Sequence, residues 1–306
     1  MFIRTLHPDL FLTAMLPAID AVILGKYGET PDEFPNYFRM ETSSRSIEQT
    51  TELTGFGQFA VVPEGANTVF DEALPAFNKT YTHGQYSLGF KCTKVAMDDD
   101  KFGVTRKLAA ELGKSAKETR EVVAAAVFNS GFTSTIGPDG KALFDTAHPL
   151  IGGSTQTNRL SAASDPDVTS IQLALTDMRN TVDHRGKKIR IAPKRAIAPG
   201  ALEFAFAEIL GGSERADTAN RTINAFKRRS GLPSFESWNV WDYLTDPHAW
   251  FIQADVAETE LRFYDREKFN TVHDVEFDSR SVKTAGWMRF SVGFNSFYGV
   301  YGAPSS

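Results

Sequence analysis

Residues 42–92 contain two runs in which side chains alternate between two faces, the period of two that is typical of β-strands. The first run is Ile47–Leu53 and the second is Gln85–Phe90. The segment between them, 55–77, is punctuated by glycine and proline, which predicts the tip of one long hairpin. A two-stranded ribbon of this length is marginally stable alone in water and leaves unpaired backbone groups along its edges. The sequence therefore predicts a hairpin that needs cover, either from its own domain or from a neighbouring copy of the chain.

The tip of this predicted hairpin carries apolar side chains that are candidates for contact with another subunit. They are Phe56, Phe59, Val61 and Phe70. The chain has 24 phenylalanines against 4 tryptophans and 8 tyrosines. So many apolar rings need apolar partners, in the core or in a neighbouring subunit.

The rest of the chain predicts an α+β fold. An amphipathic stripe predicts a helix over 99–129, about 40 Å long. Further helices are expected over 166–184 and from Pro199 to Leu210, and strong alternation between 261 and 294 predicts closing strands. The first 41 residues read as an extended arm with one helical piece, which Pro17 is expected to break or kink.

The overall charge argues against a dedicated nucleic-acid binder. Lysine plus arginine total 33 and aspartate plus glutamate 38, a net charge of -5. Basic residues nevertheless cluster in two places: Arg185, Lys187 and Lys188, and then Lys227, Arg228 and Arg229. Each cluster could contact polyanionic nucleic acid, pair with acidic neighbours, or be a solvated surface.

The sequence contains no convincing catalytic, cofactor or metal signature. Cys92 is the only cysteine, which excludes a disulfide scaffold, and its strand pattern predicts a small buried side chain. Gly113-Lys114-Ser115 echoes the end of a phosphate-binding loop, but the earlier glycine is missing and the tripeptide lies within the predicted helix, as part of a solvated face. The six histidines show no metal-ligand spacing. We therefore predict no catalytic residues, no cofactor and no metal.

An alternative from another class is a soluble hydrolase. Asp145/His148 and Asp246/His248 are the two acid–histidine pairs it would use. Each pair lies beside a proline, and turn chemistry explains both.

Three peptides, in this order, resemble the major head subunits of Mu-like phages and prophages. They are GKALFDTAHP at 140–149, followed by Gly152-Gly153 and Asn158; DHRG at 183–186, leading to IAPK at 191–194; and LTDPHAWF at 244–251. The order of elements is similar to the Hong Kong 97-type phage capsid fold across nearly the whole chain.

This resemblance implies a division of the chain. Residues 1–41 would be the N-terminal arm, and 42–92 an extended loop that lies over an adjacent subunit. Residues 93–160 and 259–306 would form the peripheral domain with its long spine helix. Residues 161–258 would form the axial domain, gathered around five-fold and six-fold axes.

The resemblance also implies a function. The chain would be a structural major capsid protein that assembles into pentamers and hexamers of an icosahedral head around double-stranded DNA. It would be assembled in the host cytoplasm and reside in the virion, without a membrane. Separate scaffolding and portal proteins, decoration proteins as an optional addition, and non-specific contact with packaged DNA are the implied partners. An encapsulin-like shell is the alternative within this fold.

Two features of the chain depart from some relatives. Residues 42–78 contain no lysine and only Lys79 is nearby, so we predict no cross-link through a lysine on the extended loop. The arm begins almost at once, so we expect either a separate scaffolding protein or a sequence that begins after a cleaved portion.

Overall fold

The computed structural model describes most of the chain. The described residues are 8–93, 95–96, 99, 103–212, 224, 226, 235, 237–276, 278–279 and 281–305, with the backbone alone over 8–15. The long helices are α1 Pro8–Gly28, α2 Val104–Asn129, α3 Val168–Asn180 and α4 Glu203–Gly211. The strands are β1 Arg39–Thr42, β2 Ile47–Leu53, β3 Pro75–Thr82, β4 Gly84–Thr93, β5 His148–Pro149, β6 Thr155–Gln156, β7 Pro193–Ala198, β8 Ser237–Val240, β9 Trp250–Ala254, β10 Leu261–Glu276, β11 Ser281–Phe294 and β12 Val300–Ala303.

The first sheet has the strand order β1-β10-β11-β4 and lies against α2. β1 runs parallel to β10, and the other neighbours are antiparallel. Phe290 of β11 stacks on Phe263 of β10 and on Tyr86 of β4, with ring centroids 5.1 and 4.4 Å apart. Arg120 of α2 forms a buried ion pair with Asp265 of β10 at 2.8 Å. Stacked rings and this ion pair therefore hold the helix and the sheet together.

The second sheet has the order β12-β9-β7-β8, and its inner strand β9 is buried on both faces. All five residues of β9 are buried. Trp250 and Ile252 belong to the core formed with α3 and α4, whereas Phe251 belongs to the core formed with α2 and the first sheet. A strand covered on both faces is an almost continuous apolar run, and β9 in this way joins the two cores.

α1 crosses α2 at Gly113. A Cβ atom at Gly113 would lie 2.4 Å from the carbonyl oxygen of Ile23, so a side chain there would push the helices apart. The expectation of a solvated face holds for Lys114, which pairs with Glu111 at 2.8 Å, but is wrong for Gly113. α1 also continues without a break through Pro17, where we expected a break or a kink. Packing against α2 provides the stability that the proline removes.

The predicted hairpin over 42–92 is wrong in its return strand. β2 pairs with β3, in a register that runs from Ile47↔Thr82 to Leu53↔Pro75. β4, the expected partner, pairs instead with β11 in the first sheet. His83 alone separates β3 from β4, so the chain leaves the hairpin and enters the sheet within one residue.

Two smaller differences concern the second sheet. The sequence near Ile189–Ile191 predicts a strand, but the strand begins later, at Pro193 in β7. The end of the chain, β12, pairs with β9 of the second sheet and not with the first sheet. The segment from 259 to the end of the chain thus contributes β10 and β11 to the first sheet and β12 to the second.

Candidate assembly surfaces

The hairpin consists of a paired ribbon, β2 and β3, and a tip without strands, which we define as residues 54–74. The tip closes where the backbone N–H of Thr54 donates to the carbonyl oxygen of Leu74 at 2.9 Å. The N–H of Leu74 donates in return to Oγ1 of Thr54 at 3.0 Å. Further out, the N–H of Gly57 donates to Oδ2 of Asp71 at 2.7 Å. The tip is thus an ordered excursion with its own hydrogen bonds.

The four tip side chains predicted as interface residues are exposed. Phe59, Val61 and Phe70 are almost fully exposed, and Phe56 is 61 % exposed. Large exposed apolar groups that lie close together mark interaction sites on soluble proteins. The tip therefore offers apolar side chains that no described residue of this chain covers.

The base of the ribbon, in contrast, packs on its own body. Tyr81 is buried, its hydroxyl donates to Oδ1 of Asn295 at 2.6 Å, and burial raises its pKa above the usual value. Lys79 donates to the carbonyl oxygen of Ile136 at 2.8 Å, and burial lowers the pKa of its ammonium group. The sequence left open whether the hairpin is covered by its own domain or by a neighbouring copy. The base of the ribbon is covered by its own domain.

A tight turn between α3 and β7 carries the first predicted basic cluster; we call residues 183–188 the basic turn. Oδ1 of Asp183 accepts the backbone N–H groups of Arg185 at 2.9 Å and of Lys187 at 2.8 Å. Gly186 has a φ of 77°, which glycine adopts without strain. The N–H of Asp183 donates to the carbonyl oxygen of Lys187 at 2.8 Å and closes the turn. The backbone of this turn is therefore held by its own hydrogen bonds.

Two residues of the basic turn contact the tip of the same chain. The guanidinium of Arg185 lies 3.1 Å from Oδ1 of Asp71 and also donates to the carbonyl oxygen of Glu72. The ammonium of Lys187 donates to the carbonyl oxygen of Phe56. The pKa of Asp71 lies below its usual value, chiefly because of the hydrogen bond from Gly57 and then because of Arg185.

A third contact lies where the basic turn meets the ribbon. Nε2 of His184 lies 3.2 Å from Oε1 of Glu52, and Phe77 packs edge-on against the histidine ring at 5.7 Å. Burial raises the pKa of Glu52, and the neighbouring His184 opposes part of that rise. The sequence analysis missed Glu52 and Asp71. The signal that could have indicated Asp71 is the acidic pair Asp71-Glu72 in the tip, which is opposite in charge to the basic cluster.

The remaining predicted basic residues lie elsewhere. Lys188 reaches Oδ1 of Asn180 at 3.4 Å and not the hairpin. Lys227, Arg228 and Arg229 lie outside the described residues. The structure thus brings Arg185 and Lys187 to the hairpin and leaves Lys188 apart from it.

The first acid–histidine pair of the alternative hydrolase does not form. His148 is fully buried, with Nδ1 2.6 Å from Oδ2 of Asp139 and Nε2 3.0 Å from Oδ1 of Asn158. Asp145 instead accepts the backbone N–H of Ala147 at 2.8 Å. The GKALFDTAHP motif therefore builds a buried polar cluster within the body.

The second pair does not form either. Oδ1 of Asp246 accepts the backbone N–H of His248 at 3.0 Å, an interaction within a turn. The ring of His248 faces Asp165 at 3.1 Å, and both side chains are exposed. The hydrolase alternative loses the two pairs on which it was based.

Cys92 is buried in β4, as predicted. Among the residues that the structure describes, no three His, Cys, Asp or Glu side chains converge as they would to hold a metal ion. No helix in the described part of the chain is long and apolar enough to cross a lipid bilayer.

Comparisons with known proteins agree with this architecture. The family model described as phage capsid protein matches residues 78–303. The chain therefore belongs to the phage capsid protein family. No curated protein sequence matches it significantly.

Solved structures share the fold at low identity. The procapsid protein of bacteriophage JBD30 is 15% identical, with a TM-score of 0.53, over 98% of this chain and 77% of that one. The capsid protein of the native GTA particle is 11% identical, with a TM-score of 0.57, over 89% and 90%. A virus-like particle from Pyrococcus furiosus is 8% identical, with a TM-score of 0.55, over 95% and 100%. The chain has the Hong Kong 97-type phage capsid fold, and it is a structural subunit of a virion capsid shell.

Proposed function

We propose that this chain is the major capsid protein of a phage head, which assembles through pentamers and hexamers into an icosahedral shell around double-stranded DNA. The exposed apolar tip at the end of a ribbon, on a body with the capsid fold, is the observation that supports this most. Burying its rings against a neighbour would contribute about 25 cal/mol for each Å² of apolar surface. Many such modest contacts, repeated over a shell, add up to a stable particle.

The domain division follows from this proposal with one adjustment. Residues 1–41 would be the arm, 161–258 the axial domain, and 93–160 with 259–306 most of the peripheral domain. Pairing of β4 with β11 supports ending the extended loop at Thr82 instead of Cys92. The extended loop would then be 42–82, and the tip would reach an adjacent subunit.

The proposed partners are those that a head of this kind needs. Scaffolding and portal proteins would be separate chains, and assembly would take place in the host cytoplasm. Contact with DNA would be independent of sequence and sensitive to salt. The chain would act without cofactor and without enzymatic activity, and without a cross-link through Lys79, whose ammonium group is engaged at the base of the ribbon.

An encapsulin-like shell is the second candidate. The similarity to the virus-like particle from Pyrococcus furiosus is compatible with it, whereas the family match favours a phage head. A shell that contains a protein cargo and no nuclease-protected DNA would favour the second candidate.

Expression of the chain with its scaffolding protein tests the proposal. Electron microscopy and light scattering should find capsomers or closed particles, and particles from an infected host should protect double-stranded DNA from nuclease. A strict monomer of 33.8 kDa at high concentration, with scaffold supplied, would contradict the proposal.

A further inference from the structure

The contacts between the basic turn and the hairpin lie within a single chain, and they differ in kind from those at the base of the ribbon. We propose that the basic turn is an intrachain clasp, which holds the tip against its own subunit until a neighbouring copy takes the tip up. This inference rests on the proposed function, because the tip needs a neighbour to reach.

The clasp is built from charged groups on a preformed turn. Asp183 holds the backbone of the turn in place, so little order is lost when Arg185 and Lys187 engage the tip. Arg185 contacts one carboxylate and one carbonyl group, and Lys187 contacts a second carbonyl on the other side of the tip. Two of these three acceptors are backbone atoms, so the clasp depends on the path of the tip more than on its side chains.

The exposure of the charged groups makes the clasp reversible. The side chains of Arg185 and Asp71 are 28 % and 40 % exposed. Ion pairs with this much solvent contact are weak and are screened by salt. The Tyr81–Asn295 hydrogen bond at the base is buried, so breaking it would leave a buried polar group without a partner. The hairpin thus has a firm base and a light restraint near its end.

The backbone between these two points departs from a regular β-ladder. The ladder of β2 and β3 shifts register between Thr51 and Leu53. Gly55 follows with a φ of 68°, at the first turn of the tip. Opening of the clasp would therefore move the tip about these residues and leave the base in place.

The clasp also accounts for the apolar rings. The groups that hold the tip are a carboxylate and main-chain carbonyls, and the rings of Phe59 and Phe70 stay exposed. A neighbouring subunit can therefore bind these rings while the clasp is still closed, and apolar burial there can then replace the charged contacts.

Charge reversal tests the clasp in the unassembled full-length subunit. R185D and D71R should each raise amide hydrogen exchange across residues 54–74, by about 2- to 5-fold, because each leaves like charges opposed. The double variant D71R/R185D should exchange more slowly than D71R, but not as slowly as the wild type, because an aspartate at 185 cannot donate to the carbonyl of Glu72 and an arginine at 71 cannot accept the N–H of Gly57. K188D is the matched control, because Lys188 is the last residue of the turn and its ammonium contacts Asn180 instead of the hairpin. Exchange across 54–74 that is no faster in R185D than in K188D would overturn the proposal.

Mixing distinguishes a contact within a chain from one between chains. A mixture of D71R and R185D subunits should behave as the two single variants do, because no chain in it carries the compensated pair. Restored protection in the mixture would mean that the contact joins neighbouring copies, and it would overturn the clasp.

Assembly kinetics separate this proposal from the proposed function. With the clasp weakened, R185D should form particles at a rate different from that of K188D, followed by light scattering. If every variant assembles as the wild type does and exchanges as it does, the clasp fails and the capsid function stands. If the wild type itself forms no particles, the proposed function fails.

Discussion

Two antiparallel ribbons of this chain, β2–β3 and β10–β11, share the alternation that is typical of strands, and they end in opposite situations. β10–β11 has β1 on one edge and β4 on the other, and α2 packs against it. In the described part of the chain no strand pairs with the outer edge of β2 or β3. The difference shows that alternation specifies a two-stranded ribbon. Distant segments of the chain decide whether that ribbon is built into a larger sheet or projects as a hairpin.

The largest expected effect compares one phenylalanine from each region. F290A removes a ring that stacks on Phe263 and Tyr86, and should destabilise the subunit by about 3–5 kcal/mol. F70A removes an exposed ring, and should change unfolding by no more than about 0.5 kcal/mol. Urea unfolding of the unassembled subunits measures both.

The variant with the smaller effect on folding, F70A, should have a clear effect on assembly. F70A should fold normally and assemble poorly, because its ring is expected in an interface. Equal loss of folding stability in F70A and F290A would show that the tip is part of the folded body, and the contrast between the ribbons would disappear.

A smaller effect is expected at the base of the hairpin, where it joins the body. Y81F removes the hydroxyl that donates to Asn295 and leaves a buried acceptor without a donor, so it should cost about 1–2 kcal/mol. Y86F is the control, because the hydroxyl of Tyr86 makes no hydrogen bond with the described residues. Thermal unfolding compares the two. A loss in Y81F no greater than in Y86F would mean that the base is held as lightly as the tip.

The smallest effect concerns pH. Burial raises the pKa of Glu52 above its usual 4.5, so the folded subunit holds this proton more tightly than the unfolded chain does. The stability that it contributes is present below pH ~4.5 and is lost as the pH rises through the raised value, by at most about 1.4 kcal/mol for each pH unit. E52Q cannot titrate. The stability of the wild type minus that of E52Q should therefore fall as the pH rises from ~4.5.

The control for this pH dependence is E64Q, which removes an exposed carboxyl from the tip. Unfolding free energies from pH 4 to pH 7 provide the comparison. If the wild type and E52Q differ by a constant amount over this range, Glu52 is not buried between the ribbon and the basic turn.

Sequence patterns were sufficient for the elements whose signal is local. Helix α3 lies within the predicted 166–184, and β10 and β11 follow the alternation of the tail. The family resemblance was confirmed, and it carried the fold class.

The errors arose where distant residues decide the outcome. β3 and β4 both alternate, and only the pairing of β4 with β11, some 200 residues away in sequence, shows which of them returns along β2. Lys117 and Glu121 are four residues apart, a spacing that predicts an ion pair on a helix. Glu121 instead accepts the backbone N–H of Glu33 at 2.5 Å and the indole N–H of Trp241 at 3.1 Å. No local pattern contains such partners.

The assembly surfaces were also predictable only where the signal is local in sequence. The exposed rings of the tip could be named from apolar residues within a glycine- and proline-rich segment. The contacts of Arg185 and Lys187 could not be predicted from the sequence, because they depend on where the tip lies relative to a turn more than 100 residues later. The family match begins at residue 78, so the first strand of the ribbon and the whole tip lie before it.

Replacement of the tip by a short turn tests most directly the claim that the hairpin serves assembly and the rest of the chain serves folding. The Thr54–Leu74 hydrogen bonds mark where a turn can join the two strands without disturbing the ribbon. With residues 55–73 replaced by Asn-Gly, the subunit should keep its circular dichroism spectrum and unfold within a few degrees of the wild type, yet form no particles by electron microscopy when scaffold is supplied. Normal particles from this variant would contradict the account.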